Sequence, residues 1–453
     1  TELMHAHRAV AGQQRVYVRV MALVFAEVLA LSRHTITQLL MTLGLTEQDW
    51  SGWYRLFSQR RFKIEQAQEV LFGETLKHVE AEAVYVVAGD GTQTPRSSAT
   101  MEGVGWLRSL RTAVFKAGIE HAQRWFNGCW LIPAEAGYSR AVPLRWMPAF
   151  PQKAKRRVTA ACKEWEAALG FLQWLREQLV KHGRAAQRIL MVADGGYDTL
   201  PLWQALPDGV ILLARSARNR VLHHLPDPAS KRGRPRLYGE RAATPEQLWQ
   251  QRSGWRNRTL EVRGRTRHLQ VKVSGPLLRK GAPNRPLILI VVRGKHNART
   301  RREPLPFLVN AVQDAHGGWV LPLPVDTLLF WAWQRWEIEV CHRELKSNFG
   351  LGNKQCFNPD AAVLSVQWSA WVYALLLLAG YRAWGLTAPP PVSTRWWRGA
   401  PRWSLNTLWR AFRAELWQTH HFQPLPSLIT GDWAEKQAWL DALPNAVLAA
   451  ARS

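Results

Sequence analysis

The chain has 453 residues, room for about three domains at roughly 150 residues each, and its 47% hydrophobic content argues against a disordered protein. Its 60 Lys and Arg against 34 Asp and Glu leave a net charge of +26, which suits a polyanionic partner such as nucleic acid or, less often, an anionic membrane surface. Four cysteines without a CxxC pair or a Cys/His zinc spacing argue against a disulfide framework or structural zinc and fit a reducing cytosol.

Thr1 to Gln14 has no short apolar core with a cleavage site, so no signal peptide is expected. Residues 1 to about 80 read as helical. Met21 to Leu31 is apolar at helical spacing, and Ile36 to Leu45 followed by Glu47 to Phe57 reads as helix, turn, helix, with Thr46 as the expected N-cap. Such a pair is either a DNA-reading unit or an ordinary helical hairpin.

Ala83 to Gly89 reads as a buried strand ending at Asp90, and Gly118 to Ile132 and Tyr138 to Trp146 as two more. Lys153 to His182 predicts one long amphipathic helix. Gln187 to Ala193 predicts a buried strand ending in a second acid, Asp194, before a helix at Leu200 to Ala205 and a strand at Val210 to Ala214. Strands followed by helices predict a mixed α/β sheet.

Residues 215 to 304 carry 23 Lys/Arg against 5 Asp/Glu, a surplus of 18 that is most of the total. Thr259 to Val262, His268 to Val273 and Leu287 to Val292 are strand-like, so this stretch reads as a basic, β-rich insertion. Helix returns over Val325 to Gly350 and Ala361 to Trp384, Ala388 to Pro391 marks a linker, and a Trp- and Arg-rich helical tail follows. The 21 residues Ala361 to Tyr381 hold no charge. That is long enough to span a bilayer, but Ser365, Gln367 and Ser369 favour a buried core helix. No membrane partner is expected.

Two strand ends carry Asp-Gly: Asp90-Gly91 and Asp194-Gly195-Gly196. Carboxylates on neighbouring strand ends can hold hard divalent cations, although Asp-Gly is also plain turn chemistry. In Gln334 to Gly350, a helix places Arg335, Glu339, His342 or Arg343, and Lys346 on one face. An acid on a basic stripe suits a metal site beside a phosphate backbone, and equally suits an exposed helix with i,i+4 ion pairs. Arg335 and Glu339 are at that spacing, so they are expected to pair when no metal is bound.

Asp90, Asp194 and Glu339 resemble the triad of the DDE transposases, specifically the bacterial insertion-sequence group with a long β insertion before the glutamate. That group carries the signature Tyr-x2-Arg-x3-Glu-x6-Lys. Arg335, Glu339 and Lys346 match it, while Ala332, flanked by Trp331 and Trp333, stands at the Tyr position. The resemblance runs from about Val84 to Trp384.

It implies an RNase H-like core, a mixed five-stranded sheet with flanking helices interrupted by the basic insertion, with helical regions at both ends. The expected organisation is residues 1–80 for DNA binding, 81–214 and 325–387 for the two parts of the core, 215–324 for the insertion, and 388–453 for the tail. The resemblance implies a cytoplasmic, nucleoid-associated transposase. It would cleave element-end DNA with Mg²⁺ (or Mn²⁺) at Asp90, Asp194 and Glu339, join the 3′-OH to target DNA, and act as a homodimer on paired ends. Arg335 and Lys346, with Arg343 beside them, would contact that DNA. An inactive transposase-derived DNA-binding protein and an RNase H-fold nuclease without strand transfer are the alternatives.

Within the insertion, Arg232-Gly233-Arg234-Pro235 looks like an AT-hook core or else a basic loop. Relatives that pass through a DNA hairpin stack a flipped base on a Trp in the insertion, which makes Trp255 and Trp319 candidates. Of the 25 Trp in the chain, most of the others are expected in the core.

Overall fold

The computed structural model describes residues 2–109, 118–226, 236–294, 304–388 and 402–418. The chain opens with α1 (Glu2–Ala6), α2 (Gln14–Leu29), α3 (Ile36–Thr42), α4 (Ser51–Ser58) and α5 (Ile64–Leu76). Thr35 caps α3, its side chain accepting from Gln38 N at 3.2 Å. The expected cap at Thr46 is not one. The start of α4 is set by Asp49, which accepts from Ser51 N at 2.8 Å and from Ser51 Oγ at 2.5 Å; Thr46 lies in the turn before it.

The central sheet follows: β1 (Tyr85–Pro95), β2 (Val104–Arg108), β3 (Ile119–Leu131), β4 (Ala141–Pro148), α6 (Glu164–Lys181), β5 (Ile189–Ala193), α7 (Leu200–Ala205) and β6 (Val210–Arg215). The order β4-β3-β1-β5-β6 is antiparallel from β4 to β1 and parallel from β1 to β6. This is an RNase H-like mixed sheet flanked by helices, as expected. Two details differ from the sequence reading. Strand β1 does not end at Asp90 but runs on to Pro95, paired with β3 throughout. Helix α6 starts at Glu164 rather than Lys153, because the buried Glu102 carboxylate collects the backbone N–H groups of Arg157, Val158 and Thr159 (2.7, 3.1 and 2.9 Å) and holds that segment as a loop.

The basic segment supplies β7 (His223–His224), α8 (Pro245–Gln250), β8 (Arg256–Val262), β9 (Arg265–Arg279), β10 (Ala282–Gly294), β11 (Leu305–Asn310), β12 (Val312–Gln313) and β13 (Trp319–Val320). Strand β11 pairs with β6, Val309 opposite Leu213, so the insertion lengthens the same sheet through β10 and β9 to β7, with β8 also on β9. Leu287, Leu289, Ile290 and Val291 of β10 are buried.

The chain then forms α9 (Val325–Gln334), α10 (Trp336–Ser347), α11 (Pro359–Trp384) and α12 (Leu405–Gln418). The single helix expected over Val325 to Gly350 is broken at Arg335, where Ile338 N bonds back only three residues, to Arg335 O at 3.0 Å. Helix α11 is the apolar stretch. Its most apolar window is 94% buried, the behaviour of a core helix. The N-terminal helices pack on it: Trp368 meets the rings of Phe57 and Phe62, and the buried Glu27 carboxylate binds Lys354 Nζ (2.7 Å), His34 Nδ1 (2.6 Å) and Trp368 Nε1 (3.1 Å). Trp125, Trp130, Trp146, Trp203, Trp368 and Trp371 are fully buried, as the core reading of most tryptophans expects. Arg232 and Arg234, most of the 388–391 linker and most of the tail, including Arg395 to Arg398, lie outside the described residues.

Candidate active site

The parallel β1–β5 ladder pairs Gly89 with Ala193, so the next residue on each strand is an aspartate. Strand β5 stops there. Asp194 opens a one-turn 3₁₀ helix, its Oδ1 accepting from Gly196 N at 2.8 Å. Asp90 Oδ1 accepts from Gly91 N at 2.8 Å. The two acids therefore arise at one level on adjacent strands, which is what a continuous hydrophobic run on each strand, ending in Asp, produces.

Helix α10 brings the third acid. Arg335, at its start, places Nη2 2.5 Å from Glu339 Oε1 and Nη1 3.6 Å from Asp90 Oδ2. One guanidinium thus bridges the strand carboxylate and the helix carboxylate, and the Arg335–Glu339 pair expected from i,i+4 spacing is present. Asn127, directly across the ladder from Asp90, fixes the helix over the sheet through His342, Nδ2 to Nε2 at 3.1 Å. One helical turn further, Lys346 Nζ donates to Thr92 Oγ1 of β1 at 2.6 Å. His342 is buried, whereas Arg343 is exposed, so of the two alternatives on the stripe only Arg343 is available to a ligand.

Electrostatics follow the geometry. Burial and the charge of Asp194 push the Asp90 carboxyl up to about 7, against the opposing pull of Arg335 and the Gly91 N–H, with Glu164 adding to the rise. Burial, with Lys346, Arg124 and Arg335 nearby, pushes His342 down to about 3, so it stays neutral.

Glu164 is an acid that the sequence alone does not single out. It lies in the first turn of α6. Its Oε1 accepts from Tyr197 Oη at 2.9 Å and its Oε2 from Arg124 Nε at 2.6 Å. A Cβ on Gly91 would stand 2.1–2.4 Å from its carboxyl atoms. An acid near a helix N-terminus is ordinary in sequence. Only the glycine beside Asp90 hints at a close neighbour, and Asp-Gly is first of all a turn signal.

Among the described residues, no three His, Cys, Asp or Glu side chains already close around one point as metal ligands. The donor chemistry nonetheless fits a divalent ion. The available oxygens are carboxylates, the hard ligands that Mg²⁺ and Mn²⁺ take. Asp90 and Asp194 repel one another, and Arg335 supplies the positive charge between Asp90 and Glu339. A metal would take over that charge role.

The family model for DDE superfamily endonucleases matches residues 13–272, more than half of the chain. The chain belongs to the DDE endonuclease superfamily. The match covers Asp90 and Asp194 and ends within β9, before Glu339. Members of this superfamily are nucleases that act on DNA with divalent metals, generally Mg²⁺. No curated protein matches the chain.

Of the remaining candidates in this DDE endonuclease, Trp255 lies with Lys272 Nζ at 4.8 Å and Arg293 Cζ at 4.4 Å from its ring centre, and its Nε1 donates to Gln251 O. Trp319 sits half-buried on the small β12–β13 pair, outside the large sheet.

Proposed function

We propose that this DDE endonuclease is a transposase of the insertion-sequence group with the Tyr-x2-Arg-x3-Glu-x6-Lys signature, cutting element-end DNA and joining its 3′-OH to a target. The observation that carries the reading is the level placement of Asp90 and Asp194 with Arg335 spanning Asp90 and Glu339. Asp90, Asp194 and Glu339 would hold Mg²⁺ or Mn²⁺. When bound, such ions stabilise the charge on attacking and leaving oxygens of a phosphodiester.

The protein's own groups do the rest. Asp90 must give up its proton to serve as a ligand, because its carboxyl is held near 7. Arg335, released from Asp90 and Glu339, is free to grip a phosphate in bidentate fashion. Lys346 and Arg343 extend that cationic track along α10. Away from the site, the exposed Arg55 of α4 joins Arg15 and Arg61 within electrostatic reach of Arg19, a surface suited to reading end DNA. The basic insertion, Arg232 and Arg234 included, would bind the backbone or an A·T-rich minor groove, with Trp319, or Trp255 once Lys272 or Arg293 moves off its ring, stacking a flipped base. Two copies would act on paired ends.

The test is to incubate the protein with Mg²⁺, duplex DNA carrying the sequences that flank its coding region, and a target plasmid. Cleaved ends joined to plasmid are expected. Cleavage without joining would leave an RNase H-fold nuclease, and tight binding without cleavage an inactive DNA-binding derivative.

A further inference from the structure

We propose that Glu164 is a fourth carboxylate of the divalent-metal site, contributing to metal binding beside Asp90, Asp194 and Glu339. This rests on the metal-site reading above. Three observations lead to it.

The first is the stripping of β1. Asp90 and Gly91 point to opposite faces of the strand. On the Asp90 face lies α10. On the other face, the space a side chain at position 91 would fill is taken by the Glu164 carboxylate, so close that any Cβ would lie within 2.4 Å of it. The backbone here is extended and paired with β3, so no turn requires a glycine; what requires it is the approach of this carboxylate.

The second is the open edge. The β1–β5 pairing ends at Gly89–Ala193. From Asp90 onward β1 has no β5 neighbour, and Asp194 stands at that gap. Carboxylates from both faces of the strand can therefore converge at one edge.

The third is how Glu164 is held. Tyr197 Oη donates to one oxygen and Arg124 Nε and Nη2 to the other (2.9, 2.6 and 2.6 Å). Each carboxylate oxygen can accept more than one contact, and the side chain is still about a quarter exposed. Tyr197 comes from the 3₁₀ turn that Asp194 opens, so Glu164 and Asp194 are tied to one short element. Arg124 and Tyr197 thus hold the carboxylate against Gly91, at the strand edge where Asp90 and Asp194 stand.

The experiment is calorimetric titration of the full chain with Mn²⁺ at pH 8, alongside melting in the absence of metal. The variants are Glu164→Gln, Asp194→Asn and Glu177→Gln, the last an exposed acid further along α6. Wild type and Glu177→Gln are expected to bind alike. Glu164→Gln is expected to bind roughly tenfold or more weakly, in the range for loss of a supporting ligand group, with its circular dichroism unchanged. Should Glu164→Gln fail to fold, Gly91→Ala is read in its place: it keeps the charge but forces the carboxylate off β1, and the same weakening is expected. Unchanged Mn²⁺ affinity with a lowered metal-free melting point would make Glu164 a structural tie and overturn its role, while loss of binding in Asp194→Asn would leave the metal site standing. Absence of Mn²⁺ binding by wild type would overturn both.

Discussion

Asp90 is a part-buried carboxyl beside another carboxylate, and the cost falls on metal-free stability. Its value near 7 lies above the ordinary 3.8. The folded state therefore keeps a proton that the unfolded state has lost between those pH values. Stability from this group is complete below about pH 4 and disappears as pH rises through 7. Asp90→Asn removes the titration, so without metal it should melt above wild type at pH 8 and close to it at pH 4. The gap is at most about 4 kcal/mol, since each tenfold change in a protonation equilibrium is worth about 1.4 kcal/mol. Saturating Mg²⁺ should reverse the order at pH 8 by stabilising wild type alone. Melting curves at the two pH values check this; a gap that shrinks with rising pH would show that Asp90 is not desolvated. Two neighbouring acids, Glu337 and Glu339, show what spacing can and cannot reveal. The signature selects Glu339, which is a third exposed and faces Asp90 through Arg335, while Glu337 is fully buried under Arg263 and Arg402. Glu164 is illegible in sequence because its role depends on the close approach of β1, a strand far earlier in the chain, which no local pattern records.

At the scale of elements, α10 is the part whose position decides whether the three acids meet. It is pinned at both ends. Glu337 Oε1 takes Arg263 Nη2 from the β8–β9 turn and Arg402 Nη1, each at 3.1 Å, while Glu344 takes Arg140 and Tyr373. Removing one partner of a buried ion pair leaves an unbalanced charge and costs about 3–5 kcal/mol. Glu337→Ala is thus expected to lower the denaturation midpoint by stability in that range, whereas Glu339→Gln, part-exposed, should change it little. Chemical denaturation of the two variants decides; equal effects would mean that the clamp on Glu337 does not hold α10. His342 adds an acid limit. Its folded value near 3 lies below the ordinary 6.5, so the stability it contributes is present above pH 6.5 and is lost as pH falls toward 3. The pairing of β11 with β6 is illegible in sequence for a related reason. Alternating residues indicate strands, but which edge they join is settled by long-range packing, here of Leu287, Leu289 and Val309 in a shared core.

At the scale of the whole molecule, the 11 strands of the large sheet among the described residues carry the acids at β1 and β5, in its first half, and the basic insertion in its second. The surplus of 18 positive charges over residues 215 to 304 should make DNA binding fall steeply with salt, since each neutralised phosphate releases counterions. Replacing Arg232 and Arg234 by Ala should weaken binding to A·T-rich ends more than to G·C-rich ones in a fluorescence titration; equal losses would reduce the motif to a general basic loop. The α/β class and the strands bearing both aspartates are legible because buried runs of β-branched residues leave a strong local signal. The broken helix at Arg335 and the loop over 153–162 are not, since Gln334 and Glu102 find their partners, Gly137 O and three backbone N–H groups, far along the chain. The central claim is that Asp90, Asp194 and Glu339 form one metal-dependent nuclease site on DNA. Its most direct test is cleavage of flank-bearing duplex by wild type, Asp90→Asn, Asp194→Asn and Glu339→Gln in Mg²⁺ and in EDTA, with DNA binding measured on the same samples. Cleavage by wild type in Mg²⁺ alone, with each variant binding DNA but leaving it intact, is the expected result; a variant that cuts at the wild-type rate, or wild-type cutting in EDTA, would contradict the account.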